Sequence, residues 1–165
     1  MVPKNLNKNF FVNSLIVLLI FFADRISKIY VIYLDQKNFS SEIFSSKFIN
    51  IQLVWNDGIA FGLFSFNEKT LYNALTIIIL IIILIILYMT FKSFGLKKNS
   101  LLMILGGALG NFFDRLFNRS VPDFIDLHIG NLHWFIFNIA DIFITIGVIL
   151  MILFEFIDNN KEKNL

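Results

Sequence analysis

The chain has 165 residues, of which 57% are hydrophobic and only 16% charged, whereas a soluble domain carries about a quarter of its residues as charges. The formal net charge is +2 and there is no cysteine, which excludes disulfides, thiol nucleophiles and cysteine metal sites. The basic residues are spread among several segments instead of gathered on one face, so nucleic acid is not an expected partner.

Four apolar stretches follow one another: Phe10–Tyr33, Leu71–Phe91, Ser100–Phe117 and Trp134–Phe156. Each is long enough, or nearly so, to cross about 30 Å of hydrocarbon at 1.5 Å per residue. Their Ile-rich runs favour strand in water, but in lipid the backbone must satisfy its own hydrogen bonds and helix wins. The composition predicts an integral membrane protein, mainly α, with a four-transmembrane-helix bundle forming a single membrane domain over 1–165. Lys4 and Lys8 before the first stretch resemble the start of a signal peptide. No small-residue cleavage site follows, and Asp24, Arg25 and Lys28 lie in the same stretch, so an uncleaved first helix is expected.

Between the first two stretches, the segment 34–70 holds Ile49, Ile51, Leu53 and Trp55 alternating with less apolar neighbours, a half-buried strand pattern. This predicts a small β element on the outer membrane surface. Residues 1–9, 92–99 and 158–165 carry seven Lys and Arg in 25 positions, against four in 53 for 34–70 and 118–133. By the positive-inside rule both termini are cytoplasmic.

Ionisable side chains inside a membrane helix are costly and mark a site or a partner. Asp24 lies 14 residues past Phe10, Asp114 lies 14 past Ser100, and Asp141 lies 14 before Glu155 on a helix running the other way. All three therefore stand about 21 Å from the cytoplasmic end. Asp123 and Asp126 follow on the same side. These carboxylates meet only three cations, Arg25, Lys28 and Arg115, so at least one is left without a full partner and held toward its protonated form. Two such carboxylates sharing a proton can activate water, one as base and one as acid. The depth argument by itself fits Asp114 with Asp141 as well as any other pairing.

Other chemistries fit poorly. His128 and His133 are read as residues of a short outer loop with no third metal ligand to place beside them. Ser27 and Lys28 are adjacent and diverge on a helix, so Ser27 is read as a packing hydroxyl, not a nucleophile. Gly106 and Gly110 form a small-xxx-small pair that brings another helix against the polar layer. Pro122 ends the third helix and biases Val121 to an extended backbone. Trp134 fits an interfacial aromatic belt.

The motifs occur in the order Asp24-Arg-Ile-Ser-Lys28, Asn56-Asp-Gly58-Ile-Ala60-Phe61, Gly106-Gly-Ala-Leu-Gly-Asn111-Phe-Phe-Asp114-Arg115, Val121-Pro-Asp123-Phe-Ile and Phe137-Asn138-Ile-Ala140-Asp141. In these the chain resembles the lipoprotein signal peptidases over essentially its whole length. The resemblance implies an aspartyl endopeptidase of the bacterial inner membrane. Its substrates would be prolipoproteins carrying a diacylglyceryl-cysteine, cut just before that residue. It places the catalytic pair on Asp123 and Asp141, near the periplasmic face. It puts Asp24, Lys28, Asn56, Gly58, Asn111, Asn138 and Ala140 at substrate-binding or supporting positions, and leaves Asp114 and Arg115 as supporting structure. Membrane lipid is the implied surrounding, with no cofactor, no metal and a monomeric chain. Two positions depart from the family: Pro122 stands in place of the usual Val, and Ile59 in place of Ala.

The rival class is a small transporter or proton-pathway subunit, which also aligns carboxylates in the membrane. It needs a polar route to the cytoplasmic side, and only Asn13 and Ser14 lie there. A purely structural scaffold is the third reading.

Overall fold

The computed structural model describes residues 4–38, 42–58 and 69–163. Four helices carry the chain: α1 (Lys4–Asn38), α2 (Lys69–Lys92), α3 (Gly95–Phe117) and α4 (Ile139–Lys163). At one end of the bundle lie β1 (Glu42–Ser45), β2 (Ile49–Asn56), β3 (Val121–Ile129) and β4 (Leu132–Phe137). The strands form one antiparallel sheet in the order β1-β2-β3-β4.

Among the described residues, three helical segments are long and apolar enough to cross a membrane: Tyr72–Lys92, Gly95–Phe117 and Ile139–Ile157. The first stretch is longer, but Asp24, Arg25 and Lys28 interrupt it. The exposed side chains along the helices are large and apolar, among them Phe22, Ile26, Ile78, Ile82 and Leu153. Such a surface suits hydrocarbon and would be intolerable in water. The chain is thus a multi-pass membrane protein.

The third helix organises the others. Helices α1, α2 and α4 all pack on α3, whose Leu101, Leu102, Ile104 and Leu105 form the apolar core. Two of its faces are glycine. A Cβ on Gly110 would stand 2.5 Å from Asp24 Oδ2, and one on Gly106 would stand 2.9 Å from Ile20 Cβ. The expected small-residue pair is therefore the seat of α1. Gly107 does the same for α4, since its Cβ would meet the Ala140 carbonyl oxygen at 2.5 Å.

Two sequence expectations need correction. Residues 134–137 do not begin the fourth helix; they belong to β4, and α4 starts at Ile139. The apolar run is continuous across the junction, so composition could not mark it. Asn138 is the break. The histidines expected in a loop are strand residues, with His128 on β3 opposite His133 on β4. A Gly130-Asn131 turn joins the two strands, with Gly130 at φ +60°, the left-handed conformation that glycine reaches without strain.

The alternation expected in β2 is not seen in its burial: Ile49, Val54 and Trp55 are exposed, Asn50 to Leu53 are half-buried, and Asn56 is the buried residue of the strand. Trp55 is 45% exposed, whereas Asn56 is buried. A register shift between Ile51 and Val54 turns the strand over at this point. The buried end of β2 is the polar end.

The glycine seats lead to a first expected outcome. Gly107→Ala sets a methyl group against backbone that cannot swing aside, and overpacking of this kind costs about 1–3 kcal/mol. Thermal unfolding in detergent is expected to show a Tm several degrees below that of the unaltered chain.

Candidate active site

The polar layer begins with the one-turn spacing of Asp24 and Lys28 on α1, which stacks their side chains on one face. Lys28 is fully buried. Its ammonium donates to Asp24 Oδ2, Asn111 Oδ1 and Asp114 Oδ2, each at 2.8 Å. Three donors meet three acceptors, so the group is satisfied with no hydrogen left over. Arg25 pairs with the other oxygen of Asp114 and lies over the Phe113 ring, 4.9 Å from its centroid. The free oxygen of Asp24 accepts from the Ala140 backbone N–H at 3.0 Å, which ties α1 to the start of α4. Ser27 donates to the Asp24 carbonyl oxygen at 2.8 Å, a local role as expected. Two carboxylates and two cations thus cancel within this unit.

Asp123 and Asp141 stand outside that cancellation. No cation lies within ion-pair distance of either among the described residues. Their oxygens are instead held by neutral amides. Asp123 accepts from Asn138 Nδ2 at 2.6 Å and from Asn56 Nδ2 at 2.8 Å. Asp141 accepts from Asn111 Nδ2 at 2.8 Å and from the Asn138 backbone N–H at 3.2 Å. Each of the four oxygens has one protein donor, and each keeps a lone pair for another partner.

The asparagines cannot turn around. Asn111 Oδ1 accepts from Lys28, Asn56 Oδ1 from the Gly58 backbone N–H at 2.9 Å, and Asn138 Oδ1 from the Asp141 backbone N–H at 3.1 Å. A donor behind each amide forces its NH₂ group toward an aspartate. Asn138 touches both carboxylates and couples them.

Arg115 does not pair with Asp114, which is held by Arg25 and Lys28. It donates to the Gly58 carbonyl oxygen at 2.7 Å, and the Tyr72 hydroxyl donates to the Arg115 carbonyl oxygen at 3.1 Å. Gly58 is thereby fixed from both sides, by Arg115 and by Asn56. Ile59 and Ala60 lie outside the described residues. Pro122 does not end the third helix, which stops at Phe117; it is buried in β3 opposite Trp55, one residue before Asp123. Asp126 is separate from the pair; it is fully buried and faces Gln52 and His133.

Burial, followed by the negative charge of Asp141, raises the Asp123 pKa from 3.8 to about 6, against the opposing pull of its asparagine donors. A neutral carboxyl beside a second carboxylate is the arrangement in which two acids share a proton.

All eleven residues expected at the site occupy this end of the bundle. The contacts from Asn56 to Asp123 and from Arg25 to Asp114 join distant segments and had no signal in the sequence. The Asp126 surroundings were also missed. Their signal was the Gly130-Asn131 turn, which is a hairpin marker when flanked by strand-forming residues.

Two outcomes follow from this geometry. Lys28→Met leaves two buried carboxylates short of a cation and is expected to cost about 3–5 kcal/mol of stability, read by thermal unfolding. Asp123 has a folded pKa above its unfolded one. Its stabilisation is full below pH 3.8 and is lost as pH rises through about 6. A rise of that size is worth about 3 kcal/mol. The stability advantage of the unaltered chain over Asp123→Asn is expected to shrink by about that amount between pH 3.5 and pH 7.5 in denaturant titrations.

The sequence model of signal peptidase (SPase) II matches residues 16–157. A protein of Pelagibacter ubique named lipoprotein signal peptidase is 48% identical over 157 residues, covering 95% of each chain. A protein of that name from Anaplasma phagocytophilum is 42% identical over 135 residues, 80% of this chain and 83% of its own. Among solved structures, a bacterial membrane enzyme determined by the in meso method at 2.3 Å superposes with a TM-score of 0.74 at 34% identity, over 91% of this chain and 90% of its own.

Proposed function

The chain belongs to the signal peptidase II family, and from that premise we propose that it is an aspartyl endopeptidase that removes signal peptides from diacylglyceryl-modified prolipoproteins. Cleavage falls before the lipidated cysteine. The observation that carries this reading is the contrast in charge pairing. Asp24 and Asp114 are neutralised by Lys28 and Arg25, which suits framework. Among the described residues, Asp123 and Asp141 have only amide donors, which suits carboxyl groups that must exchange protons.

In the mechanism, Asp123 and Asp141 hold one water between them. The ionised carboxylate takes a proton from this water as its oxygen attacks the scissile carbonyl carbon. The protonated partner donates to the carbonyl oxygen. A tetrahedral gem-diol forms, and its collapse, with a proton passed to the leaving nitrogen, breaks the peptide bond. Asn56, Asn111 and Asn138 keep the two carboxyl groups in place so that little rearrangement accompanies each transfer. No step requires a metal or a cofactor.

The substrate's apolar part needs an apolar surface. A groove of about 640 Å³ opens between α1, α2 and α3, lined by Val17, Leu18, Leu87, Leu102 and Leu105. It lies in the half of the bundle away from the sheet, where Phe10, Asn13, Ser14 and Lys98 also line it. An acyl chain or the apolar signal helix packs well on such a wall. In this reading α1 is the fourth span and the protein is a monomer of the bacterial inner membrane. Its termini are cytoplasmic, and the aspartates and the sheet lie on the periplasmic side.

The test is cleavage of a purified diacylglyceryl-prolipoprotein in detergent with EDTA throughout. The unaltered chain is expected to cut it, while folded Asp123→Asn and Asp141→Asn each lose at least about a hundredfold in rate. Full activity in either variant would remove that residue from the dyad, and an inert unaltered chain would remove the substrate assignment.

A further inference from the structure

Asp126 has no part in the proposed dyad, yet it is a fully buried carboxylate. Strand β3 puts it two residues before His128, with an irregularity of the β3–β4 pairing between them. Strand β4 brings His133 opposite His128, and the two imidazoles stack with centroids 5.1 Å apart. His133 Nδ1 is 2.7 Å from Asp126 Oδ2. One ligand atom from each of the three residues lies within 4.8 Å of the other two.

The hydrogen bonding of this cluster is incomplete. Asp126 Oδ2 is served by Gln52 at 3.2 Å, by Asn50 at 3.5 Å and by His133. Asp126 Oδ1 has no partner, and neither does the buried His128 Nδ1. Only one other buried side-chain polar atom among the described residues is in that position, on Arg115. Unpaired buried acceptors are rare because each forfeits its hydration for nothing. A cation bound between the carboxylate and the rings would relieve the deficit in one step.

We infer that Asp126, His128 and His133 form a Zn²⁺ site on the β3–β4 hairpin. Two imidazoles and one carboxylate, with no thiolate, are a ligand set suited to zinc; calcium and magnesium prefer oxygen alone. Three protein ligands leave a fourth position for water. Around a tetrahedral zinc with bonds of about 2.0–2.1 Å, ligand atoms stand about 3.4 Å apart. His133 can supply the adjustment, since its side chain is 53% exposed and its Nδ1 contact to Asp126 would be exchanged for the ion. That exposure is also the entry path for the ion.

The site would act as a brace. It follows Asp123 by three residues on β3, and β4 runs directly into Asn138 and Asp141. A bound ion ties together β3, which carries Asp123, and β4, which leads into the helix that carries Asp141, without touching the reacting atoms. It is a site additional to the metal-free chemistry and does not depend on the substrate assignment.

The experiment uses the full chain in detergent, stripped with EDTA and exchanged into metal-free buffer, then titrated with Zn²⁺ alone. Calorimetry and thermal unfolding are read together. One ion per chain is expected, with a Tm rise of several degrees at saturation. His133→Ala, at an exposed position, is expected to weaken binding at least about tenfold, and the double variant H128A/H133A to abolish both signals. Failure of the unaltered chain to bind one Zn²⁺ overturns the site, as does undiminished affinity in His133→Ala. The single variant carries this test even if the double variant fails to fold.

Discussion

A buried ammonium governs the polar architecture of this bundle. Lys28 has no exposed surface and gives its three hydrogens to three acceptors on two helices. Taking such a charge out of water is expensive, and only near-complete pairing makes it tolerable. The other parts serve that pairing. Gly110 lets Asp24 come close to α3, and Arg25 completes the neutralisation of Asp114. Asp24 then uses its remaining oxygen on the Ala140 N–H, so one ion-pair unit locks α1, α3 and the start of α4 together.

The same ammonium reaches the proposed dyad through Asn111. Because Lys28 occupies Asn111 Oδ1, the amide nitrogen has only one orientation, toward Asp141. Asn56 and Asn138 repeat this device with backbone N–H groups behind them. Orienting an amide from behind fixes a neutral donor on three of the four aspartate oxygens, and the Asn138 backbone N–H serves the fourth, without adding a cation. A cation there would hold the carboxylate permanently ionised. Neutral donors position it and leave its proton free to move, which is the property an acid–base pair needs.

The sequence revealed the helices and the depth of the polar layer, because length, apolarity and the rarity of buried charge are local signals. Asp24, Asp114 and Asp141 could be ranked by position alone, and they do share one end of the bundle. What position could not tell was which carboxylates are neutralised, since Arg25–Asp114 and Asn56–Asp123 join residues 89 and 67 apart in the chain. The choice of Asp123 over Asp114 came from family resemblance, and the charge pairing now supplies a physical reason that supports it. Strand β4 was hidden because 134–137 is as apolar as the helix after it. Asp126 was grouped with Asp123 because nothing in the sequence separates two aspartates three residues apart; the register of β3 against β2 and β4 turns them to different neighbours.

The most direct measurement of this division of labour compares Asp114→Asn with Asp141→Asn. Each is assayed on a diacylglyceryl-prolipoprotein, and each rate is normalised to the folded fraction at low temperature. The account predicts that Asp114→Asn is less stable but still cuts, whereas Asp141→Asn folds and does not cut. An inactive, fully folded Asp114→Asn beside an active Asp141→Asn would contradict it, and would place the chemistry on the carboxylate that Lys28 and Arg25 hold.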